Sequence, residues 1–330
     1  MSGAPTQASG SLASARRAWC LYDVGNSAFA TTVMAALFPP FFRSLAQQAG
    51  FGETQATSMW GYVTAGALLL LALSAPVLGA VADARSGRKA FLGFFAGLGI
   101  LATAAFAFIG AADWQLAAGL FVAANFGFGA SIIFYESLLP ALARGSDMDS
   151  LSTRAYGWGY AGGGLLLVIN LLMVTRPALF GLEGAGQAVK LAFLSVALWW
   201  GVFSIPVLRR VPEPPALPGA AGGRGAGAGF RRLARTFREI RRYRQLTFLL
   251  AAYWIYNDGI GTIVKMATAY GSEIGIGMTH LMGALVLTQA VGVPCAFLFG
   301  RLALRIGAKR AILWALAVYG LISCGGYFMS

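Results

Sequence analysis

The chain has 330 residues, of which 58% are hydrophobic and only 11% charged, and it carries a formal net charge of +13. Soluble domains carry about 25% charged residues, so this chain cannot clothe itself in a polar surface and its main solvent is lipid. The positive charge falls in the gaps between apolar runs, as membrane topology demands, and no aromatic-rich basic groove accompanies it, which argues against nucleic acid as a partner.

Residues 1–17 are rich in Gly, Ala, Ser and Thr and contain no apolar core of a signal peptide. They read as a cytoplasmic tail, with the first helix acting as its own membrane signal. Nine apolar runs long enough to span a bilayer follow, at 18–42, 58–82, 90–110, 115–138, 156–176, 188–208, 246–271, 278–299 and 311–329. The short alternating segments of a closed barrel are missing. The expected class is an all-α polytopic membrane protein.

In the first run, Asp23, Asn26, Ser27 and Thr31 share one helical side. The second run ends in Pro76-Val-Leu-Gly79-Ala-Val-Ala-Asp83 and is followed by Gly87-Arg88-Lys89. The fourth places Asn125, Gly129 and Glu136 on one side. The fifth opens with Gly157-Trp-Gly159-Tyr-Ala-Gly162. That spacing resembles a dinucleotide fingerprint, but no strand precedes it. Small residues here suit close helix packing instead.

After the sixth run, residues 209–245 form a basic central loop. Residues 212–229 are rich in Pro, Gly and Ala, and 230–243 read FRRLARTFREIRRY. There Phe230, Leu233, Phe237 and Ile240 recur at helical spacing, which predicts a basic amphipathic helix on anionic headgroups. A plain solvated loop helix is the other reading. The seventh run carries Trp254, Asn257, Asp258, Gly261, Thr262 and Lys265. Asp258 is expected about 18 Å into the membrane, with Lys265 two turns further on.

His280 stands alone at the start of the eighth run. Cys20, Cys295 and Cys324 lie far apart in apolar spans and are expected to be small buried hydrophobes. No metal cluster, catalytic triad or phosphate loop can be read, so no enzyme activity and no cofactor are expected.

Lysine and arginine placement fixes the expected orientation. With the N-terminus inside, 21 of the 25 basic residues fall on the cytoplasmic side, three on the outer side and Lys265 within a span. The sequence also repeats itself. Gly300-Arg-Leu-Ala-Leu-Arg305-Ile-Gly307-Ala-Lys309-Arg310 echoes the Gly79–Lys89 segment, and Tyr256-Asn257-Asp258 echoes Tyr22-Asp23. A parallel duplication is one way transporters are built. The division expected is a tail (1–17), a six-helix half (18–208), the central loop (209–245) and three helices of a second half (246–330).

Gly79–Lys89 resembles the signature loop between the second and third helices of major facilitators, with one extra residue between Asp83 and Gly87. Within that superfamily the chain resembles the vacuole-effluxer family, whose named members are autophagy-linked amino-acid exporters of fungal vacuoles. The likeness rests on Tyr22-Asp23-Val-Gly-Asn26-Ser27-Ala28-Phe29, Tyr135-Glu136-Ser137-Leu-Leu-Pro140, Gly159-Tyr160-Ala-Gly162-Gly163-Gly164 and Tyr256-Asn257-Asp258-Gly259. Val24-Gly25 stands where the family usually has Trp-Ala, and Glu136 where it usually has Asp.

The resemblance implies twelve helices, of which nine are present, and a central cavity lined by helices one, four and seven. It implies secondary transport of a small polar solute, amino acids among the candidates, by alternating access with protons as a candidate coupling ion. The substrate and ion residues would be Asp23, Asn26, Asn125, Glu136, Asn257, Asp258 and Lys265. Gly79, Asp83, Gly87, Arg88 and Lys89 would form the cytoplasmic gate loop. A monomer in a bacterial inner membrane, in contact with lipids, is expected. A non-transporting receptor or scaffold, or an inactive fragment, is the alternative.

Overall fold

The computed structural model describes residues 4–84, 87–214, 238–239 and 242–327, and among them every regular element is helical. Helix α1 (Ala4–Ala28) runs on through a π-helical stretch, Phe29–Leu37, into α2 (Phe38–Gln48). Pro39 and Pro40 stand in the first turn of α2, where the π-helical stretch ends, and donate no N–H back to it.

There follow α3 (Glu53–Ala84), α4 (Arg88–Ala105, closed by a 3₁₀ turn Phe106–Phe108) and α5 (Trp114–Glu136). A single turn, α6 (Leu139–Leu142), leads to α7 (Ser146–Thr175) and α8 (Ala185–Arg210). Beyond the central loop lie α9 (Arg244–Glu273), α10 (Met278–Ile306) and α11 (Ala308–Tyr327).

Seven described helices are long and apolar enough to cross a membrane: Ser11–Gln48, Glu53–Ala82, Arg88–Phe108, Trp114–Leu142, Asp147–Thr175, Ala185–Arg210 and Thr279–Ile306. The other two predicted spans, the seventh and ninth, are also helical, as α9 and α11. The helices begin earlier than the apolar runs do. The first starts at Ala4 rather than 18, and the fifth at Ser146 rather than 156. Polar turns at helix starts extend past the lipid and carry no hydrophobic signal. The amphipathic stretch predicted over 230–243 lies almost wholly outside the described residues.

Lipid tails are as apolar as leucine, so these helices associate by close packing rather than by escape from water. Glycine permits the closest crossings. A methyl at Gly127 of α5 would meet the Gly99 backbone nitrogen of α4 at 2.6 Å and the Phe95 carbonyl at 2.7 Å. At one end of the first six spans the rings of Phe38, Trp60, Phe106, Phe121 and Phe193 form a buried cluster. Phe38 lies 4.6 Å from Phe106 and 4.8 Å from Phe121, centroid to centroid. Such ring pairs each add about 0.5–1.5 kcal/mol beyond simple burial. Leu69, Leu73, Trp254, Leu313 and Leu321 point outward, as expected of helix surfaces in lipid.

One cysteine expectation is corrected. Cys20 is buried, but Cys295 and Cys324 are exposed, because α10 and α11 turn those faces away from their neighbours.

Candidate functional site: a polar seam between helices one, four and five

Asp23 and Asn26 sit on α1, three residues apart, and are only 9% and 2% exposed. Two helices hold this stretch. Trp19 stacks on Tyr135 of α5, centroids 4.4 Å apart and planes 9° from parallel. Trp19 Nε1 donates to the Tyr135 carbonyl and Tyr135 Oη donates to the Trp19 carbonyl, each at 3.2 Å. One turn further on, Tyr22 Oη donates to Ser131 Oγ at 2.8 Å, and Ser131 in turn donates to the Phe128 carbonyl.

From the other side comes α7. A methyl at Gly159 would lie 2.6 Å from Ser27 Oγ and 3.4 Å from the Asp23 carboxyl carbon. One at Gly162 would lie 2.4 Å from a Val24 methyl, and one at Gly163 would lie 3.1 Å from the Ser27 backbone. The glycine-rich run of the fifth span therefore permits close helix packing, as expected. Thr31 Oγ1 donates to the Ser27 carbonyl one turn back.

Glu136, at the end of α5, is half-buried and lies within electrostatic range of Asp23. Tyr156 of α7 shares that range with both carboxyls and with Tyr253 of α9. Asn125 is buried on α5, eleven residues before Glu136 and so about 16 Å from it along the axis. It belongs to a deeper layer. At the level between them, Gly129 faces Leu71 of α3. Asn26 Nδ2, Thr32 Oγ1 and Trp200 Nε1 are buried without a hydrogen-bond partner among the described residues. Such atoms are costly unless something else meets them.

Asn257 and Asp258 are exposed on α9. Lys265 lies on the same helix, and its side chain is outside the described residues. His280 is exposed at the start of α10.

The Gly79–Lys89 loop is braced at several points. Gly87 has φ +102°, a conformation that favours glycine, and Gly307 at the equivalent turn of the second half has φ +85°. Arg88 is buried. Its Nε donates to the Ala82 carbonyl at 2.6 Å and its Nη1 to the Ser137 carbonyl at 2.9 Å, tying the ends of α3 and α5 together. Lys89 Nζ donates to the Leu208 carbonyl. Gly79 has open space around it, and Asp83 lies in the last turn of α3 with its side chain outside the described residues.

Sequence reasoning missed Glu213. Its Oε1 accepts from the backbone nitrogens of Gly87 and Arg88, and its Oε2 from that of Lys89. A carboxylate on the first amides of a helix is favoured by the helix dipole. The available signal was a lone acid just beyond Arg209-Arg210. Arg16 was also passed over. Its Nε donates to the Leu142 carbonyl at 2.8 Å and its Nη2 pairs with Asp147 at 3.3 Å. Residues 16, 88, 137, 142, 147 and 213 thus gather at one end of the bundle. Arg43 and Glu53, paired at 2.8 Å, join the α2–α3 turn.

A bundle of apolar helices with a buried polar seam and a braced Gly-Arg-Lys turn defines a polytopic membrane protein of the major-facilitator transporter class. The vacuole effluxer Atg22-like family profile matches residues 13–328. The chain belongs to that family. It is 34% identical over 319 residues to the MFS-type transporter YxiO of Bacillus subtilis (strain 168), spanning 94% of this chain and 72% of the relative. It is 28% identical over 285 residues to autophagy-related protein 22 of Coccidioides immitis (strain RS) and 24% identical over 343 residues to that of Pyricularia oryzae. Those matches cover 67% and 83% of this chain, and the chain spans about half the length of each fungal relative.

Proposed function

We propose that the protein is a secondary transporter that moves a small polar solute, with amino acids the first class to test, by alternating access coupled to protons. The observation carrying this reading is Asp23 beside Asn26, buried on the first span and held against a glycine face of the fifth. Ionisable groups inside a membrane are expensive and mark ion or substrate paths. In this reading Asp23 and Glu136 bind the coupling proton, and Asn26, Asn125, Asn257 and Asp258 line the solute path. Lys265 supplies a counter-charge.

The N-terminus faces the cytoplasm, in keeping with the positive-inside bias. The six-helix half ends at 208, the central loop covers 209–245 and the second half begins at 246. Gly79, Asp83, Gly87, Arg88 and Lys89 form the cytoplasmic gate, with Glu213 as its brace. A bacterial inner membrane is the setting, and the working unit is a monomer.

The test is uptake of candidate amino acids into proteoliposomes with and without an imposed pH gradient. Gradient-dependent accumulation that falls when Asp23 is replaced by Asn supports the reading. Accumulation that ignores both the gradient and Asp23 overturns it.

A further inference from the structure

A groove of about 710 Å³ runs between the N-terminal parts of α1 and α7, its Cys20 end one helical turn before Asp23. Its lining includes Arg17, Cys20 and Leu21 from α1 and Leu151, Arg154 and Trp158 from α7. On α7, Trp158 lies two residues from both Tyr156 and Tyr160. At 100° per residue its side chain projects from the opposite side of the helix. Arg17, Arg154 and Trp158 are all exposed, so the groove opens on the surface of the bundle.

The charge in this groove is one-sided. Arg16 is engaged by Asp147 and the Leu142 carbonyl. Arg17 and Arg154 are exposed, and neither forms a hydrogen bond or ion pair with a described residue. No carboxylate among the described residues lines the groove. The two arginines stand one and two residues before the apolar runs that begin at 18 and 156, at the level where lipid headgroups are expected. Trp158 is 55% exposed beside them, a residue type that favours this boundary. Deeper in, the walls are the apolar Leu21, Cys20 and Trp158 rings and chains.

We propose that this groove binds one anionic phospholipid. The phosphate lies between Arg17 and Arg154, and an acyl chain lies along Leu21 and Trp158. Two unpaired guanidinium groups above an apolar trough match a headgroup that carries negative charge on a hydrocarbon tail. A soluble anion would leave the trough empty, and a zwitterionic lipid would place its own cation against the arginines.

The purified full chain would be examined by native mass spectrometry after incubation with phosphatidylglycerol or phosphatidylcholine. The expected result is a retained phosphatidylglycerol adduct at least tenfold more abundant than the phosphatidylcholine one. It should be lost in R17Q/R154Q and restored in R17K/R154K. Equal retention of the two lipids overturns the proposal. So does an adduct that persists in R17Q/R154Q, or one displaced as well by glycerol phosphate as by lipid. Should R17Q/R154Q fail to fold, tryptophan quenching decides. Brominated phosphatidylglycerol should quench wild type more than W158F by a clearly larger margin than brominated phosphatidylcholine does; an equal margin with the two lipids rejects the site.

Discussion

Gly159 of α7 lies against Ser27 of α1, where a methyl group would come within 2.6 Å of the Ser27 hydroxyl oxygen and 3.3 Å of the Asp23 carbonyl. The contact joins the fifth helix to the first at the level of a buried carboxyl. Any side chain at 159 must push Ser27 and Asp23 aside or part the helices.

Glycine substitutions along α7 should therefore divide by what they meet. Gly163→Ala would press on the Ser27 backbone, which cannot swing away, and Gly159→Ala on short side chains. Overpacking of this kind costs about 1–3 kcal/mol. Gly201→Ala on α8 meets nothing within 4 Å and should be neutral or stabilising by up to about 1 kcal/mol, as alanine favours helix. Thermal unfolding in detergent would rank them. A Gly163→Ala protein as stable as Gly201→Ala would contradict the packing described.

Glu213 should be a stabilising cap as well as a gate brace. Glu213→Ala removes the acceptor for three amides at the start of α4. Loss of a helix cap costs about 0.5–2 kcal/mol. Glu213→Gln keeps one acceptor oxygen and should recover part of that. The midpoint of thermal unfolding measures it, and no drop in the alanine variant would mean the amides are met equally well by water.

Much of the architecture was legible because a membrane makes hydrophobic length informative. Apolar runs marked every one of the described long helices, and the 3.6-residue period placed Asp23 and Asn26 on one side. The turn glycines were legible from the repeat, since Gly87 and Gly307 both adopt positive φ. Contacts between distant parts of the chain were not. Nothing periodic links Trp19 to Tyr135 or Glu213 to Gly87, because each pairing is set by how helices cross. The π-helical stretch left a trace only in Pro39-Pro40, which could have located it. The two exposed cysteines were misjudged because an apolar span does not reveal which of its faces is packed.

Orientation is open to direct measurement. A single cysteine at Gly223, in a background lacking the three native cysteines, should resist a membrane-impermeant maleimide in intact cells. It should react in inverted vesicles. The positive-inside bias over the whole chain supports this result. Labelling from outside would reverse the assignment of every cytoplasmic element, the gate loop included.

The two aspartates should respond differently to loss of charge. Asp23 is buried against α7, whereas Asp258 is exposed on α9. Replacing either by asparagine keeps the shape and removes the exchangeable proton. If Asp23 carries the coupling proton, Asp23→Asn should reach the membrane in normal amount and lose gradient-driven accumulation about tenfold or more. Exchange of solute across the membrane should continue, because exchange needs no net proton movement. Asp258→Asn should instead raise the KM for the solute with little change in pH dependence, as expected of a group that lines the path without holding the proton. Initial rates in proteoliposomes, taken across a range of external pH, separate these outcomes. If Asp258→Asn abolishes the pH dependence and Asp23→Asn leaves it intact, the coupling site belongs on α9, and the buried pair on α1 is a packing device that joins the first and fifth helices.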